Sequence, residues 1–274
     1  MIIESFRMED MAPFLKLATE ENWVAEPWEF EFLLSDFPQG CFAARADNGE
    51  TVGFVTALLH ERSGWIGNLI VAEQFRGRGI GAGLFRNAVE ALQSSGAETV
   101  WLTASKSGAP LYEKHGFTGI DTIIRWVGTG RQQHAPDSAP EKCAGLASVS
   151  YDIDTHAWSD RRTALLDATS RRGTLLQNGS GFIVMQPCGN SVQIGPFSAL
   201  DDTTAERLFE DAFRTIPMGT KVLVDAPTSN RTALRLFNRR NMKIAGSNLL
   251  MYAGMKPDYR SELIYGLATM GSSG

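Results

Sequence analysis

Glycine occurs at every second position over a short stretch of this chain, where an apolar run gives way to an amphipathic segment. The four residues are Gly77, Gly79, Gly81 and Gly83. Such a density would destabilise the interior of a helix or strand, because glycine loses the most backbone entropy on folding. The preceding residues 65–71 have the character of a β-strand, and helical spacing of apolar residues follows. The stretch therefore predicts a strand, a loop and a helix, with a loop backbone that a bulky ligand approaches closely.

A phosphate group is the ligand that this loop favours. Backbone N–H groups at a helix start carry a partial positive charge and bind anions. Arg76 and Arg78 add positive charge, although arginines on a loop can also be merely solvated. A P-loop is excluded because no Lys-Ser/Thr pair follows the glycines. Gly77, Gly79 and Ala82 fit a dinucleotide-binding fingerprint, but its first glycine should follow the strand directly, and five residues intervene here.

The rest of the first half predicts a mixed α/β sheet. β-favouring runs and helical patterns follow one another in the order β-α-α-β-β-β-α-β-α-β, not in repeated βαβ units. The second and third strands are joined by Asp47-Asn48-Gly49, which is typical of a hairpin. We expect a mixed, mainly antiparallel sheet that is flanked by helices.

The second half of the chain repeats an element of the first. The segment Leu236-Phe-Asn-Arg-Arg-Asn-Met242 matches Leu111-Tyr-Glu-Lys-His-Gly-Phe117 in order and character. Asn241 stands where Gly116 stands, and asparagine is the next residue to tolerate the left-handed backbone of a helix end. Because an internal repeat is stronger support than either segment alone, we predict the same structural element twice.

Composition divides the chain between these two copies. Residues 128–150 are rich in Gly, Ser, Ala, Pro and Gln and lack periodicity, so they predict a linker. The expected domains are residues 1–127 and residues 151–274. In the second domain a helix is predicted over residues 159–170. The acidic residues 195–202 stand where the first half has its glycine loop, so the phosphate site is not repeated.

Size, charge and cysteine content exclude several other classes. A chain of 274 residues with 43% hydrophobic content can supply two globular cores. A net charge of −5 argues against a nucleic-acid binder, and no apolar run approaches the ~20 residues of a membrane span. Cys41, Cys143 and Cys188 are widely spaced, and the histidines form no cluster, so we expect a reduced, cytoplasmic protein without a metal site.

Three features in sequence resemble the GNAT superfamily of N-acyltransferases. Arg76-Gly-Arg-Gly-Ile-Gly81 fits the pyrophosphate loop [Q/R]xxGx[G/A] of that family, and Leu69-Ile-Val71 precedes it at the family's spacing. The block at residues 111–117 follows in the family's order. The motifs cover about residues 65–117, and the element order extends the resemblance to residues 1–127. The implied fold is α/β, of the α+β mixed-sheet kind, with two GNAT-like domains, of which the second is degenerate.

The resemblance implies that acetyl-CoA is the co-substrate and that the acetyl group goes to a primary amine of a small molecule or peptide. Backbone groups of the strand before the loop would pair with the pantetheine arm, and N–H groups of the loop would hold the pyrophosphate. The implied cofactor-binding residues are Leu69, Ile70, Val71, Arg76, Gly77, Arg78, Gly79, Ile80, Gly81 and Ala82. Tyr112 stands at the position of the general acid, which gives a proton or a hydrogen bond to the departing thiolate.

The general base stays open at this stage. Residues 65–68 carry no carboxylate where the family often has one, and His60 and Glu61 are better explained as strand-end residues. A water relay is one alternative, and a CoA-binding regulatory module without turnover is another. A tRNA-dependent aminoacyl transferase is disfavoured by the acidic balance. Trp23 and Trp28 would line an acceptor pocket or pack in the core.

The second half is expected not to catalyse. Phe237 lacks the hydroxyl of Tyr112, and the segment that replaces the glycine loop is acidic. Its predicted role is to complete the acceptor site or an interface. A homodimer is one of the assemblies that the sequence allows.

Overall fold

The computed structural model describes residues 1–130 and 145–274. Within these ranges, twelve strands form one continuous sheet that is accompanied by eight α-helices. The elements of the first half are β1 (Ile2–Ser5), α1 (Met11–Glu20), α2 (Pro27–Asp36), β2 (Phe42–Arg45), β3 (Thr51–Leu59), β4 (Ser63–Val71), α3 (Ile80–Ser94), β5 (Thr99–Ala104), α4 (Ala109–Glu113) and β6 (Thr118–Thr129). Their order confirms the predicted mixed α/β arrangement.

The second half repeats the order of the first from its two helices onward, without a counterpart of β1 and with an added last strand. Its elements are α5 (Ser148–Trp158), α6 (Thr163–Arg172), β7 (Thr174–Asn178), β8 (Gly181–Cys188), β9 (Ser191–Ala199), α7 (Asp202–Thr215), β10 (Lys221–Pro227), α8 (Arg231–Arg239), β11 (Lys243–Gly254) and β12 (Ile264–Gly266). In both halves an antiparallel meander leads to one parallel strand pair, which is β4 with β5 in the first half and β9 with β10 in the second.

The two halves exchange their last long strands. β11 of the second half lies between β5 and β6, and β6 pairs with β10. The two sheets thereby merge into the order β1-β2-β3-β4-β5-β11-β6-β10-β9-β8-β7. The predicted boundary after residue 127 thus separates the sequence repeats but does not separate the sheets. Most of the predicted linker, residues 131–144, lies outside the described residues.

Each half has its own hydrophobic core, which forms where the helix that connects the two parallel strands packs against the sheet. α3 buries Ile80, Leu84, Phe85, Ala88 and Leu92 against the sheet, and α7 buries an equivalent apolar face. Each fully buried Leu or Phe side chain contributes about 1.5–3 kcal/mol to stability. This burial fixes the start of α3, and with it the glycine loop, relative to β4.

The predicted repeat at the two helix ends is confirmed down to single hydrogen bonds. Phe117 N donates to Tyr112 O at 3.1 Å, and Met242 N donates to Phe237 O at 3.1 Å. The residues that turn the chain there, Gly116 and Asn241, both have positive φ, at 83° and 57°. The same local geometry has therefore been kept in both copies with different residues.

Two features of the second half differ from the sequence prediction. The helix predicted over residues 159–170 is present as α6 but begins only at Thr163, and Ser159, with a left-handed backbone of φ 57°, ends the preceding α5. α5 begins inside the predicted linker, and its buried face includes the polar Ser150 and Asp154, which breaks the apolar periodicity. Asp154 is satisfied by Arg162, with bonds of 2.7 and 2.9 Å that only the folded chain brings together.

Candidate active site

A gap opens between β4 and β5. The two parallel strands pair only at residues 63–65 with residues 99–101. Beyond this point, residues 66–71 of β4 have no strand partner on the β5 side within the described residues. A bulge falls here, because Thr56 faces Gly67 while Phe54 faces Ile70, and Asn68 has φ 54°. The free edge leaves backbone groups available to an extended ligand.

The glycine loop stands at one end of this gap. Residues 72–79 connect β4 to α3, and Gly77 and Gly79 have φ values of 74° and 79°. A Cβ atom at either position would meet nothing within 4 Å. No side chain of residues 1–130 or 145–274 caps the start of α3. The first N–H groups of the helix are thus unscreened by a capping side chain, which suits a phosphate group.

The two loop arginines contact the loop's own surroundings. Arg76 Nε donates to Val71 O at 2.8 Å, and its guanidinium pairs with Glu21 at the end of α1. Arg78 donates to Gln74 O at 3.1 Å and lies 5.3 Å from the ring centre of Phe75. Both side chains are exposed, but the charge of Arg76 is shared with Glu21. Their contact with phosphates stays a prediction.

Among the remaining predicted cofactor residues, some have side chains at the cavity, and others have side chains that are buried in the core. Leu69 lines a cavity at the gap, whereas the Ile70 side chain is buried in the core on the α1–α2 side. Ile80 is buried beneath α3. Gly81 faces Val71, since a Cβ atom at Gly81 would lie 3.7 Å from the Val71 methyl group. Ile70 and Ile80 can therefore offer a ligand their backbone only.

Tyr112 lies on α4 at the same cavity. Its ring packs against Phe85 of α3, with 4.9 Å between the ring centres. Burial raises the pKa of Tyr112 to about 12. Its hydroxyl has no hydrogen-bond partner among the residues that the structure describes. The side chain is thus a protonated donor at neutral pH that is free to bond to a ligand.

The cavity itself is built by both halves of the chain. It has a volume of about 330 Å³. The first half contributes the free edge of β4, Tyr112 and α2. The exchanged strands contribute Arg125 of β6 and Asn248 of β11, and the second half adds residues 186–188 and 268–272. Tyr112 therefore faces a composite cavity, which the sequence could not predict beyond the expectation that the second half completes the acceptor site.

The segment between α1 and α2 is tied to the second half at the cavity mouth. Glu26 pairs with Arg172 of α6 and accepts a bond from Gly189 N. Arg172 also lies 4.5 Å from the ring centre of Trp28 and donates to Pro187 O at 2.9 Å. These contacts hold α2, and its cavity-facing residues, against β8.

An ion pair between a half-buried arginine and a buried aspartate supports another wall of the cavity. Arg125 donates to Asp225 through two bonds of 2.8 and 2.7 Å, and Gln193 Nε2 lies 3.2 Å from Asp225. Asp225 is fully buried and is on β10, which is a neighbour of β6 only because of the strand exchange. The pairing satisfies Asp225 and orients the Arg125 side chain at the cavity.

Glu29 of α2 is a cavity residue that sequence reasoning missed. Burial raises its pKa to about 7, although a hydrogen bond from Ser272 opposes this shift. The Ser272 Oγ donates to Glu29 Oε1 at 2.8 Å. No motif marks Glu29, because its partner stands 243 positions later in the chain.

The corresponding gap of the second half is filled by the chain itself. β12 pairs with β9, and Leu267 N donates to Asp225 O of β10 at 2.8 Å, so residues 264–267 lie between the two strands. A Cβ atom on Gly195 would collide with the Leu267 carbonyl oxygen. This gap has no room for an extended ligand.

The phosphate loop is also missing from the second half, but residues 195–202 are not the counterpart of the glycine loop that the sequence suggested. Residues 195–199 are not a loop but belong to β9, and only Leu200 and Asp201 connect β9 to α7. The Asp201 carboxylate accepts a bond from Thr204 N at 2.9 Å and so caps α7. A carboxylate therefore occupies the position that an anion would need.

The chain continues from the second gap into the first. Thr103 Oγ1 of β5 donates to Met270 O, and Asn68 N of the β4 bulge lies 3.4 Å from Gly271 O. A Cβ atom on Gly67 would lie 2.5 Å from both Gly271 O and Ser272 O. Residues 270–272 thus border the cavity at the point where β4 and β5 diverge.

Other predicted features lie apart from this cavity or at its mouth. His60 is buried, and both of its ring nitrogens lack a hydrogen-bond partner among the residues that the structure describes. Burial lowers its pKa to about 3, with a smaller contribution from Arg162. Trp23 is exposed at the mouth, and Trp28 is half-buried there. In the described ranges, no group of His, Cys, Asp or Glu side chains could hold a metal ion.

None of the helices described here is both long and apolar enough to span a membrane.

Two family patterns identify the chain. The pattern described as "Acetyltransferase (GNAT) family" matches residues 4–117, and that described as "Acetyltransferase (GNAT) domain" matches residues 151–266. The chain belongs to the GNAT family and is an acyltransferase with two such domains in tandem.

Relatives and solved structures agree with this assignment. The chain is 25% identical to a holothin acyltransferase of Pseudoalteromonas sp. (strain SANK 73390) over 93% of its own length and 92% of the relative. It is 30% identical to N-alpha-acetyltransferase MAK3 of Arabidopsis thaliana over 46% of its length and 70% of that protein. A Pyrococcus horikoshii structure described as an acetyltransferase has the same fold, with a TM-score of 0.87, 24% identity and coverage of 100% and 95%.

Proposed function

We propose that this protein transfers the acetyl group of acetyl-CoA to a primary amine of a small molecule or peptide, within the composite cavity. One observation carries the proposal. In the first half, the free edge of β4, the uncapped start of α3 and Tyr112 all border one gap, whereas every equivalent feature in the second half is filled, capped or replaced.

The residues of the first half fit an acyl-CoA molecule. Backbone groups of Leu69 and the N–H of Val71 lie on the edge without a strand partner, for the pantetheine arm, while the Val71 carbonyl already accepts a bond from Arg76. Gly77 and Gly79 leave open space in front of α3, where the N–H groups of residues 80–82 would hold the pyrophosphate. Bound acetyl-CoA supplies an acyl thioester, a carbonyl carbon that an amine can attack.

Tyr112 acts in this proposal as a hydrogen-bond donor to the departing sulfur. An ordinary thiol has a pKa of about 8.5, so complete proton transfer from a tyrosine of pKa about 12 would cost about 5 kcal/mol. Donation of a hydrogen bond avoids this cost and still stabilises the developing negative charge. The raised pKa of Tyr112 guarantees that the hydroxyl carries its proton throughout the physiological range.

The cavity also favours a cationic acceptor. Glu29 lines it as a carboxylate without a cationic partner among the described residues, whereas Glu26 is paired with Arg172, and Arg125 with Asp225. The other polar groups of the lining, such as Asn68, Gln186 and Asn248, are neutral. An ammonium group would meet negative charge here, while the exposed Trp23 offers an apolar contact at the mouth. This combination supports an amine with an apolar part, either a small molecule or the end of a peptide.

A panel of amines tests the proposal. Acetyl-CoA is incubated with tyramine, lysine, spermidine and a short peptide that has a free α-amino group, and free thiol release is followed. We expect turnover with at least one amine. Tyr112→Phe should lower kcat roughly 100-fold while the Kd for acetyl-CoA is kept. Tyr252→Phe on β11, which does not line the cavity, serves as the matched control. If acetyl-CoA binds but no amine of the panel causes release of the CoA thiol, the proposal of a transferase acting on amines is contradicted.

Two further predictions belong to this proposal. The sparse cysteines and the need for acetyl-CoA support a cytoplasmic enzyme. A homodimer stays a prediction, to be checked by sedimentation.

A further inference from the structure

We propose that Glu29 is the general base, which removes a proton from the ammonium group of the acceptor. The inference rests on the proposed amine acetylation and identifies the residue that the β4 strand does not supply. Glu29 and Tyr112 line the same cavity from two different helices, α2 and α4. A base for the acceptor ammonium group and a hydrogen-bond donor for the departing sulfur thereby line one cavity.

Glu29 is the carboxylate in this cavity that is free to accept a proton. The cavity is lined by two carboxylates, and Glu26 is paired with Arg172. Glu29 has no cationic partner within hydrogen-bond distance among the described residues, and Ser272 binds one of its oxygens at 2.8 Å. The Glu26 backbone N–H also bonds to this carboxylate, and the two oxygens together keep further lone pairs with which they can accept a bond from an ammonium group.

The surrounding groups set the basicity of Glu29. Burial is the largest cause and raises the pKa of Glu29, and the nearby charge of Glu26 raises it further. The hydrogen bond from Ser272, the charge of Arg172 and a hydrogen bond from the Glu26 backbone lower it, which gives about 7. Other titratable or charged groups around the cavity are Tyr112 of α4, Arg125 of β6, Cys188 of β8 and Asp225 of β10. Tyr112 and Cys188 have raised pKa values and stay neutral, and Arg125 is paired with Asp225.

This basicity matters for the proton balance. An ammonium group of pKa about 10.4 transfers its proton to a carboxylate of pKa about 7 with an equilibrium constant on the order of 10⁻³, instead of about 10⁻⁶ for an ordinary glutamate. The N–H bond breaks and an O–H bond forms on Glu29. The nitrogen lone pair then forms the C–N bond to the acyl carbon as the C–S bond breaks. The nitrogen, positively charged after the attack, loses its second proton to the departing thiolate, which becomes a thiol. Glu29 then releases the first proton to solvent and is a carboxylate again.

A pH profile of kcat/KM distinguishes a base from a residue that only shapes the cavity. With acetyl-CoA saturating and lysine or tyramine as acceptor, the wild-type value should rise with pH and bend near pH 7. In Glu29→Gln the bend should vanish, because the amine must then lose its proton unaided. Activity at pH 7 should fall by about 10²–10⁴-fold, and the deficit should shrink towards pH 10.

Two matched variants complete the experiment. Ser272→Ala removes a bond that lowers the pKa of Glu29, so its bend should move to higher pH. Glu31→Gln removes an exposed carboxylate from the same helix and should leave the profile unchanged. The Kd of acetyl-CoA, measured for every variant, reports an intact fold.

The failures of the two proposals differ. No turnover of any amine by wild type would contradict the proposed acetylation. Turnover by wild type, with an unchanged bend in Glu29→Gln or with the same deficit at pH 7 and pH 10, would overturn the assignment of Glu29 alone.

Discussion

Replacing Gly79 by alanine separates the strain in the glycine loop from the contact between that loop and its ligand. Gly79 precedes α3 with φ 79°, and Gly96 follows the same helix with φ 95°. A Cβ atom at either position would meet nothing within 4 Å. Gly79→Ala and Gly96→Ala therefore carry the same backbone penalty at the two ends of one helix, and only one of them faces the proposed pyrophosphate.

The effect on stability follows from the backbone. A left-handed conformation costs a non-glycine residue roughly 1–2 kcal/mol. The smaller entropy of the unfolded chain returns about 0.4–1 kcal/mol. Both variants should thus lose about 0.5–1 kcal/mol, because no neighbouring atom adds a clash. The free energy of unfolding in urea measures this, and the two values should agree within error.

The effect on binding should differ between the two variants. A methyl group in front of α3 occupies space that the pyrophosphate needs, so Gly79→Ala should raise the Kd for acetyl-CoA at least tenfold, or about 1.4 kcal/mol. Gly96→Ala should leave Kd unchanged. Isothermal titration of both variants at one pH checks this. Equal Kd values for wild type and Gly79→Ala would refute the reasoning that the loop receives the phosphates.

Two further changes test the second half and a buried histidine. Arg172→Ala should raise the acceptor KM roughly tenfold through loss of a partly buried ion pair and a cation–π contact, without changing the Kd of acetyl-CoA. Arg171→Ala, at the exposed neighbouring position, is its control. An unchanged acceptor KM in Arg172→Ala would mean that the contacts of Arg172 with Glu26 and Trp28 are not needed for acceptor binding. His60 has its pKa lowered to about 3, so the unfolded chain takes up its proton first and stability falls as pH drops below about 6.5. Between pH 6.5 and pH 5 this group should cost about 2 kcal/mol of unfolding free energy, and urea titrations of His60→Leu should show a dependence weaker by that amount.

The parts of the site that follow from local physics could be predicted from the sequence. Alternating glycines require a loop, and a start of α3 without a capping side chain favours an anion, whatever the rest of the fold does. The repeated helix end at Tyr112 and Phe237 was predictable for the same reason, because Gly116 and Asn241 carry the left-handed turn themselves. These are interactions among residues close in the chain.

The second half was harder to predict because the interactions that shape it join residues that only the tertiary structure brings together. α5 hides its polar Asp154 in the core, where Arg162 pairs with it, so apolar periodicity does not reveal the helix. The loss of the phosphate site was expected from acidity, but the structure gives a different cause. The connection is two residues long, Asp201 caps α7, and β12 fills the gap between β9 and β10.

The sequence by itself determined the mixed α/β fold of each half, the glycine loop and the tyrosine, since each depends on patterns within a few tens of residues. Only the tertiary structure decided how these parts share one cavity. The exchange of β6 and β11 brings Arg125 beside Asp225, and the packing of residues 268–272 brings Ser272 to Glu29. Such contacts join residues 100 and 243 positions apart, and they exist because burying a polar group requires a partner, wherever in the chain that partner lies.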